Sequence, residues 1–283
     1  MKYVVGLDVG GTNFRVGLVN EQLEAEKSCK VRVEDVLKSE DVVSDLAQYL
    51  KSFIEDKEIE AIAIGLPAPM DRARKTILQA PNLPHMDGLS LASLLEEKLG
   101  IPVIMERDVN MIMCYDMHKY NIPSRGLACG FYFGTGIGNA IFLDGKAYIG
   151  KNGAAGELGH IPCDGSEEVC GCGNVGCIEN LAGGKFIKKT KLNFVDNMAE
   201  LLPFVDRMAQ AVCAELNILD PDYVIIGGGV LALENFPKDY LHERILARCR
   251  KPYPAESLNI IYAEETDQKG ILGAAMYYRG EQK

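Results

Sequence analysis

A chain of 283 residues that is 47% hydrophobic and 25% charged can bury a sizeable core; this excludes wholesale disorder and favours two domains over one. Its formal net charge of −10, with no basic run to offset it, argues against a nucleic-acid-binding surface, because phosphate contacts need clustered Lys and Arg. The apolar stretch Tyr3 to Val9 lacks the length and cleavage site of an export signal, and no apolar run approaches a membrane span, so a cytoplasmic location is expected. Nine cysteines then read as metal ligands and reduced core thiols rather than a disulfide framework.

Lys2 to Leu7 reads as a short buried strand, followed by Asp8-Val-Gly-Gly-Thr-Asn-Phe-Arg15 and a second apolar run, Val16 to Asn20. This is the pattern of a hairpin with a glycine turn. Gly10 and Gly11 let backbone amides approach an anion, Thr12 adds a hydroxyl and Arg15 a charge, while Asp8 can hold a hydrated Mg²⁺ beside phosphates. A plain β-turn explains the same glycines. No G-K-[ST] follows, so this is not a P-loop. Ser39 to Asp56 has the apolar spacing of an amphipathic helix, Ala61 to Leu66 is the next strand, Pro81-Asn-Leu-Pro84 is a polar loop, and Leu89 to Leu99 is a helix leading to the strand Pro102 to Met105. The alternation of β and α predicts an α/β architecture.

That strand runs into Glu106-Arg107-Asp108-Val109-Asn110, a charged cluster where an α/β sheet places its ligand crevice. Asp108 is the candidate general base, with Asn82 and Asn110 as groups that orient a hydroxyl-bearing substrate. The competing reading is that Asp108 caps the helix beginning near Val109; spacing alone does not separate the two.

Leu127 to Phe133, Gly134-Thr-Gly-Ile-Gly138 and Ala140 to Leu143 repeat the strand, glycine turn, strand pattern, and two such hairpins can grip a polyphosphate from both sides. Next comes Gly156 to Glu179, in which His160, Cys170, Cys172 and Cys177 form the one-imidazole, three-thiolate set of a closed structural Zn²⁺ site, with glycines interleaved for a tight loop. Buried reduced thiols are the alternative. Glu157 and Glu179 flank these ligands, so a metal that fixes the loop would also fix two acids; solvated surface glutamates are the other reading of both. Met198 to Leu219 is helical, Tyr223 to Ile226 is a strand ending in Gly227-Gly228-Gly229, which suits either passage beneath a nucleotide or a simple strand-to-helix turn, and Gly270 to Tyr278 is a terminal helix.

Taken together, DVGGTNFR at 8 to 15, GLPAP at 65 to 69, PNL at 81 to 83, RDVN at 107 to 110, GTGIG at 134 to 138, GELGH at 156 to 160, CGCGNVGCIE at 170 to 179 and IIGGGV at 225 to 230 resemble the ROK family of sugar kinases and repressors. The resemblance implies a two-domain actin-like ATPase (ribonuclease H-like) α/β fold with a hexose in the interdomain cleft. Residues 1–115 would form the first domain, with the helix at 270–283 returning to it, and 116–269 the larger second domain with the zinc loop. ATP and Mg²⁺ would lie on Asp8, Gly10, Gly11, Thr12, Asn13 and Arg15, on Gly134, Thr135, Gly136 and Gly138, and on Gly227 to Gly229. Asp108 would activate the sugar 6-hydroxyl, and Asn82, Arg107, Asn110, Glu157, His160 and Glu179 would line the sugar, with His160 also a zinc ligand. A homodimer is implied.

One departure carries information. The common family pattern before the base is Glu-Asn-Asp, and Arg107 stands in place of that Asn; a planar cation cannot make the same amide hydrogen bonds. RDVN, GELGHIP at 156 to 162, the stretch NILDPDYVIIGGGV from Asn217, and Phe236-Pro237 look more like the D-allose kinase branch, so phosphorylation of D-allose is the expectation, with glucose and N-acetylmannosamine as alternatives. Repressors of the same family, or a sugar sensor without kinase activity, are the other class. The repressors carry a helix-turn-helix ahead of the first glycine hairpin, for which a first strand at Lys2 is expected to leave no room.

Overall fold

The computed structural model describes residues 2–80, 82–83 and 85–281. Its first elements are β1 (Tyr3–Val9), β2 (Asn13–Val19), β3 (Ala25–Arg32), α1 (Val33–Val36), α2 (Val42–Ile54), β4 (Ile59–Leu66), α3 (Leu91–Leu99), β5 (Val103–Arg107) and α4 (Asp108–Lys119). There follow β6 (Leu127–Phe133), β7 (Ile137–Leu143), β8 (Lys146–Ala147), α5 (Glu179–Ala182), α6 (Gly184–Thr190), α7 (Met198–Leu219), β9 (Tyr223–Gly227), α8 (Lys238–Arg248), β10 (Ile260–Tyr262) and α9 (Lys269–Glu281). They form two compact units, Met1–Ile122 with Ile149–Ala155 and Thr266–Lys283, and Pro123–Tyr148 with Gly156–Glu265.

In the first unit a five-stranded sheet has the order β3-β2-β1-β4-β5, with the β1–β2 and β2–β3 pairs antiparallel and β1, β4 and β5 mutually parallel. Side chains alternate along β1. Tyr3, Val5, Leu7 and Val9 join the core shared with α2 and α3, while Val4 packs with Ile271, Ala274 and Ala275 of α9. Gly6 lies on the α9 face, where a Cβ would run into the carbonyl of Ile271, and Gly273 meets the carbonyl of Met111 in the same way. Hydrogen atoms at these two positions let α9 lie close against both sheet and α4. Asp41 caps α2 by accepting from Ser44 N at 3.0 Å, and α3 ends on Gly100 at φ 66°.

The first unit extends past residue 115 because α4 runs unbroken to Lys119. It also takes in 149–155, which the sequence reading assigns to the second domain; arginines of the first unit hold its carbonyls. β3 was not anticipated. Its Glu26, Lys27, Ser28, Lys30 and Arg32 are exposed, as suits an edge strand, and polar edge strands carry little periodic signal.

The second unit has its own five-stranded sheet, β10-β9-β6-β7-β8. Phe131 and Phe133 of β6 pack with Phe204, Val205, Met208 and Val212 of α7 and with Leu241 and Ile245 of α8. The elements β8, α5, α6, α8 and β10 escape the sequence reading: α8 is polar over most of its surface, and β8 and β10 have only two and three residues.

Candidate active site and metal centre

Because β1, β4 and β5 are parallel, their carboxyl ends bring the glycine turn, the Pro67-Ala-Pro69 turn and Asp108 to one edge of the first sheet. The turn closes with Gly10 N donating to Asn13 O at 2.9 Å, and a Cβ on Gly11 would lie 3.0 Å from Asn82 Cβ, so the hairpin backs directly onto that exposed asparagine. Asp8 Oδ2 accepts from Arg15 Nη1 at 3.3 Å, and Arg15 Nε donates to Asp267 Oδ1 at 3.1 Å. Arg15 therefore sits between two carboxylates, one of them on the approach to α9. A Cβ on Gly270 would come within 2.6 Å of Asp8, so α9 begins directly over it.

α4 starts at Asp108, and the N-cap position is occupied by Arg107, in extended conformation with no side-chain capping bond. Asp108 is thus the first helical residue, half-buried, where the unpaired amides of the helix start favour negative charge. Its Oδ1 accepts from Val109 N at 2.7 Å.

Immediately before it, Glu106 is fully buried, and its carboxylate collects donors from across the unit. Oε1 takes Arg74 Nη2 (2.9 Å), Asn110 Nδ2 (3.1 Å) and Arg107 N (2.7 Å); Oε2 takes Arg74 Nε (3.0 Å) and Tyr277 OH (2.9 Å). Such saturation is what a charge removed from water requires. Two residues expected beside the sugar are thereby located inside this cluster. Asn110 is 4% exposed with its amide nitrogen on Glu106, and Arg107, 8% exposed, donates from Nη1 to Ala155 O at 2.6 Å.

In the second unit β6 and β9 are parallel and end side by side. The turn at 134–136 closes with Gly134 N on Gly136 O at 3.1 Å and receives Gly184 N on Gly134 O at 2.8 Å and Lys185 N on Thr135 O at 2.9 Å. Thr135 is exposed. Gly138, expected in this turn, instead lies within β7 opposite Tyr132, because the strand starts at Ile137 rather than Ala140. Of the three glycines after β9, Gly227 is still in the strand. Gly228, at φ 102°, packs on the Phe133 backbone and donates to Glu265 Oε1 at 2.9 Å, and only Gly229 faces open space. Glu179 lies where Cβ atoms on Gly136 or Gly159 would strike its carboxylate, so it joins the glycine turn to the Gly156–His160 segment.

That segment carries the metal-type cluster. The ligand atoms of His160, Cys170, Cys172 and Cys177 all lie within 4.8 Å of one another. Cys172 Sγ is 3.6 Å from Cys177 Sγ, and Cys170 Sγ is 3.5 Å from His160 Nδ1. A tetrahedral Zn²⁺ with ordinary bond lengths has ligand–ligand edges of about 3.5–3.8 Å, so the donor set fits the ion in chemistry and spacing. The remaining imidazole nitrogen, Nε2, is 3.5 Å from Glu157 Oε2, the carboxylate partner that commonly orients a metal-bound histidine. Burial, with Glu179 beside it, pushes the Cys170 thiol up to about 12, whereas the Asn174 amide draws Cys172 below the usual thiol value.

Residues 4–281 match the model of the ROK family. The chain belongs to the ROK family. Among its ROK relatives, N-acetyl-D-glucosamine kinase of Aliivibrio fischeri is 32% identical over 95% of this chain and 97% of its own, and glucokinase of Thermotoga maritima is 27% identical over 96% of each. The ROK glucokinase of Streptomyces griseus, solved with glucose and AMPPNP, superposes with a TM-score of 0.79 at 22% identity over 96% of this chain and 98% of that one, which gives the two chains one fold. That fold is the α/β, actin-like architecture built on two sheets. Arg74 and Tyr277, around Glu106 in the first unit, and Gly183 and Gly184, at the 134–136 turn in the second, were not singled out in the sequence. Arg74 and Tyr277 reach Glu106 from 32 and 171 residues away, and the only local signal was an acid at the end of an apolar strand.

Proposed function

We propose that this ROK sugar kinase transfers the γ-phosphoryl group of ATP to the 6-hydroxyl of a hexose, and that the hexose is D-allose. The observation that carries the reaction is Asp108, half-buried at the start of α4, at the same carboxyl edge of the parallel β1, β4 and β5 as the glycine hairpin of Asp8 to Arg15. As general base it accepts the 6-hydroxyl proton while the sugar oxygen bonds to the γ-phosphorus; the bond to the β,γ-bridging oxygen breaks and ADP leaves with that electron pair. The amides of Gly11 and Thr12 and the exposed Thr135 serve as donors to the phosphates. Mg²⁺, when bound with ATP, supplies charge neutralisation at the phosphates, and Asp8 is the residue that would hold its water shell. Asn82 and Asp108 in the first unit and Glu157, His160 and Glu179 in the second are the side chains assigned to the sugar.

Zn²⁺ would be held by His160, Cys170, Cys172 and Cys177, where it supplies a cross-link that fixes Glu157 and Glu179 rather than any chemistry of its own. The choice of allose rests on Arg107 within RDVN together with GELGHIP at 156 to 162, the stretch NILDPDYVIIGGGV from Asn217 and Phe236-Pro237. A guanidinium drawn to Ala155 O cannot present the amide that the usual Glu-Asn-Asp pattern offers, so a hexose with a different hydroxyl arrangement is favoured. A homodimer belongs to the same reading.

The test is ADP release by the zinc-loaded protein with ATP and Mg²⁺ against D-allose, D-glucose, D-mannose, N-acetyl-D-glucosamine, N-acetylmannosamine and D-fructose, compared as kcat/KM. Preference for allose supports the full reading. Preference for another hexose keeps the kinase and removes allose, and absence of sugar-dependent ADP release removes the kinase.

A further inference from the structure

We infer that Glu106 and Arg74 are positioning residues: a buried ion pair that fixes Asp108 and at the same time fastens the segment 149–155 leading into Glu157. The inference rests on Asp108 being the base of the proposed reaction, and it goes beyond that reading by assigning a role to residues that touch neither sugar nor nucleotide.

Glu106 and Asn110 stand two residues before and two after Asp108, and they are bonded to each other at 3.1 Å. Arg107 N bonds the same carboxylate oxygen at 2.7 Å. The backbone carrying Asp108 is therefore closed into a small loop, anchored at both ends on one carboxylate. Tyr277 OH of α9 and the two-pronged guanidinium of Arg74 hold that carboxylate in turn. Charge-assisted bonds of this kind in a water-free site have little room to rearrange, which is what a base needs if its oxygen must stay within hydrogen-bond reach of one hydroxyl.

Arg74 carries the brace further. It sits at φ 55° at the tip of a tight turn in which Arg74 N donates to Asp71 O, and Lys75 N and Thr76 N both donate to Asp71 Oδ1. The turn aims its third nitrogen, Nη1, at Gly153 O, 2.9 Å away. Gly153 is itself at φ 78°, and a Cβ there would lie 2.7 Å from Met70 O and 3.0 Å from Arg74 Nη1, so the segment is shaped to accept the arginine. Two residues on, Ala155 O takes Arg107 Nη1 at 2.6 Å. Two arginines, one bonded to Glu106 through its side chain and one through its backbone, thus fasten 149–155, and the chain reaches Glu157 two residues later. The base and the segment 149–155 are thus tied to a single buried carboxylate.

The experiment compares Arg74→Ala, Arg74→Ala with added guanidinium ion, and Tyr277→Phe, reading steady-state kinetics together with hydrogen exchange at 149–156. Arg74→Ala is expected to lower kcat/KM for the preferred hexose by about 10- to 100-fold, with KM for ATP held within about twofold. Low-millimolar guanidinium chloride, but not sodium chloride, is expected to restore part of that loss, and exchange at 149–156 is expected to accelerate. Unchanged sugar kinetics, equal loss of sugar and ATP terms without guanidinium rescue, or unaltered exchange in a folded Arg74→Ala protein would each overturn the inference. If Arg74→Ala does not fold, Tyr277→Phe, which deletes one donor and keeps the ring, decides. A several-fold loss confined to the sugar term supports the brace, and wild-type kinetics refutes it. A wild-type protein without sugar-dependent ADP release would sink the kinase reading instead, while exchange at 149–156 would still report on the brace.

Discussion

Gly65 of β4 lies directly under Asp108: a Cβ at residue 65 would come 3.3 Å from Asp108 Cα and 3.2 Å from Met111 Sδ. The methionine can swing aside, but the first residue of α4 cannot move without moving the base. Gly65→Ala is therefore expected to fold and to lower kcat for the preferred hexose by about tenfold, because sub-ångström misplacement of a reacting group is costly. Steady-state kinetics with a melting curve checks it; unchanged kcat at unchanged Tm would mean that α4 gives way harmlessly.

Asp108→Asn makes a sharper case. The amide keeps the size of the side chain, and its oxygen can still accept from Val109 N, a bond now 2.7 Å long, but it cannot take a proton. Folding and sugar affinity, read by calorimetry, should stay near wild type while kcat falls on the order of 10²- to 10⁴-fold. A variant that keeps near-normal turnover would remove Asp108 from the mechanism.

The four ligand atoms of the metal-type cluster should carry one zinc per chain, detectable by elemental analysis of the purified protein. The segment around them exposes apolar side chains, with Val169 and Val175 68% and 58% exposed, so its order is expected to depend on the ion. Cys172→Ser, or a strong chelator, should strip the metal and lower Tm by roughly 5–10 °C, the shift produced by a loss of a few kcal/mol in a domain of this size. Turnover should fall with it, because Glu157 and Glu179 lose their support. Retention of full activity without zinc would detach the metal from the site.

What could be read from the sequence was what is local. The hairpin at Asp8 to Arg15, the ligand spacing from His160 to Cys177 and the helix over Met198 to Leu219 each declare themselves within about two dozen residues, through glycine placement or apolar period. Glu106 does not. Its role depends on Arg74, Gly153 and Tyr277, brought together by the parallel β4–β5 pair and by α9. Nothing in the pattern of residues 103–110 tells that Asn110 turns toward Glu106, or that Arg107 reaches Ala155. Gly138 was misplaced for a smaller reason: a strand leaving a glycine turn can begin at the first apolar β-branched residue, here Ile137, and leave the next glycine inside the ladder.

Arg107 offers a test of substrate choice that is separate from catalysis. Replacing it with Asn restores the amide of the common Glu-Asn-Asp pattern and removes the guanidinium from Ala155 O. Arg107→Asn is expected to lower kcat/KM for allose by about tenfold or more and to raise the ratio of glucose to allose turnover, since hydrogen-bond mismatches in a built site discriminate strongly. Parallel loss on every hexose, with the ratio unchanged, would assign Arg107 to holding 149–155 alone.

The second unit contains an acid whose cost depends on pH. Glu215 of α7 is 7% exposed; burial pushes its carboxyl above the usual range, and its Oε1 accepts from Asn139 Nδ2 at 3.0 Å. Asn139 Oδ1 is buried with no hydrogen-bond partner among the described residues. With the folded group titrating above the unfolded value of about 4.3, the proton is held more tightly in the folded state. Below that unfolded value both states are protonated and the site costs least; as pH rises through the window up to the raised folded value, the unfolded chain ionises first and stability drains away. Glu215→Gln cannot ionise, keeps an oxygen for Asn139 Nδ2, and brings an amide donor toward the unpaired Asn139 Oδ1. It should melt about as wild type near pH 4 and a few degrees higher near pH 8. Calorimetric melts of the two proteins across that range decide it: a pH-independent difference would mean that packing, rather than ionisation of Glu215, governs the site.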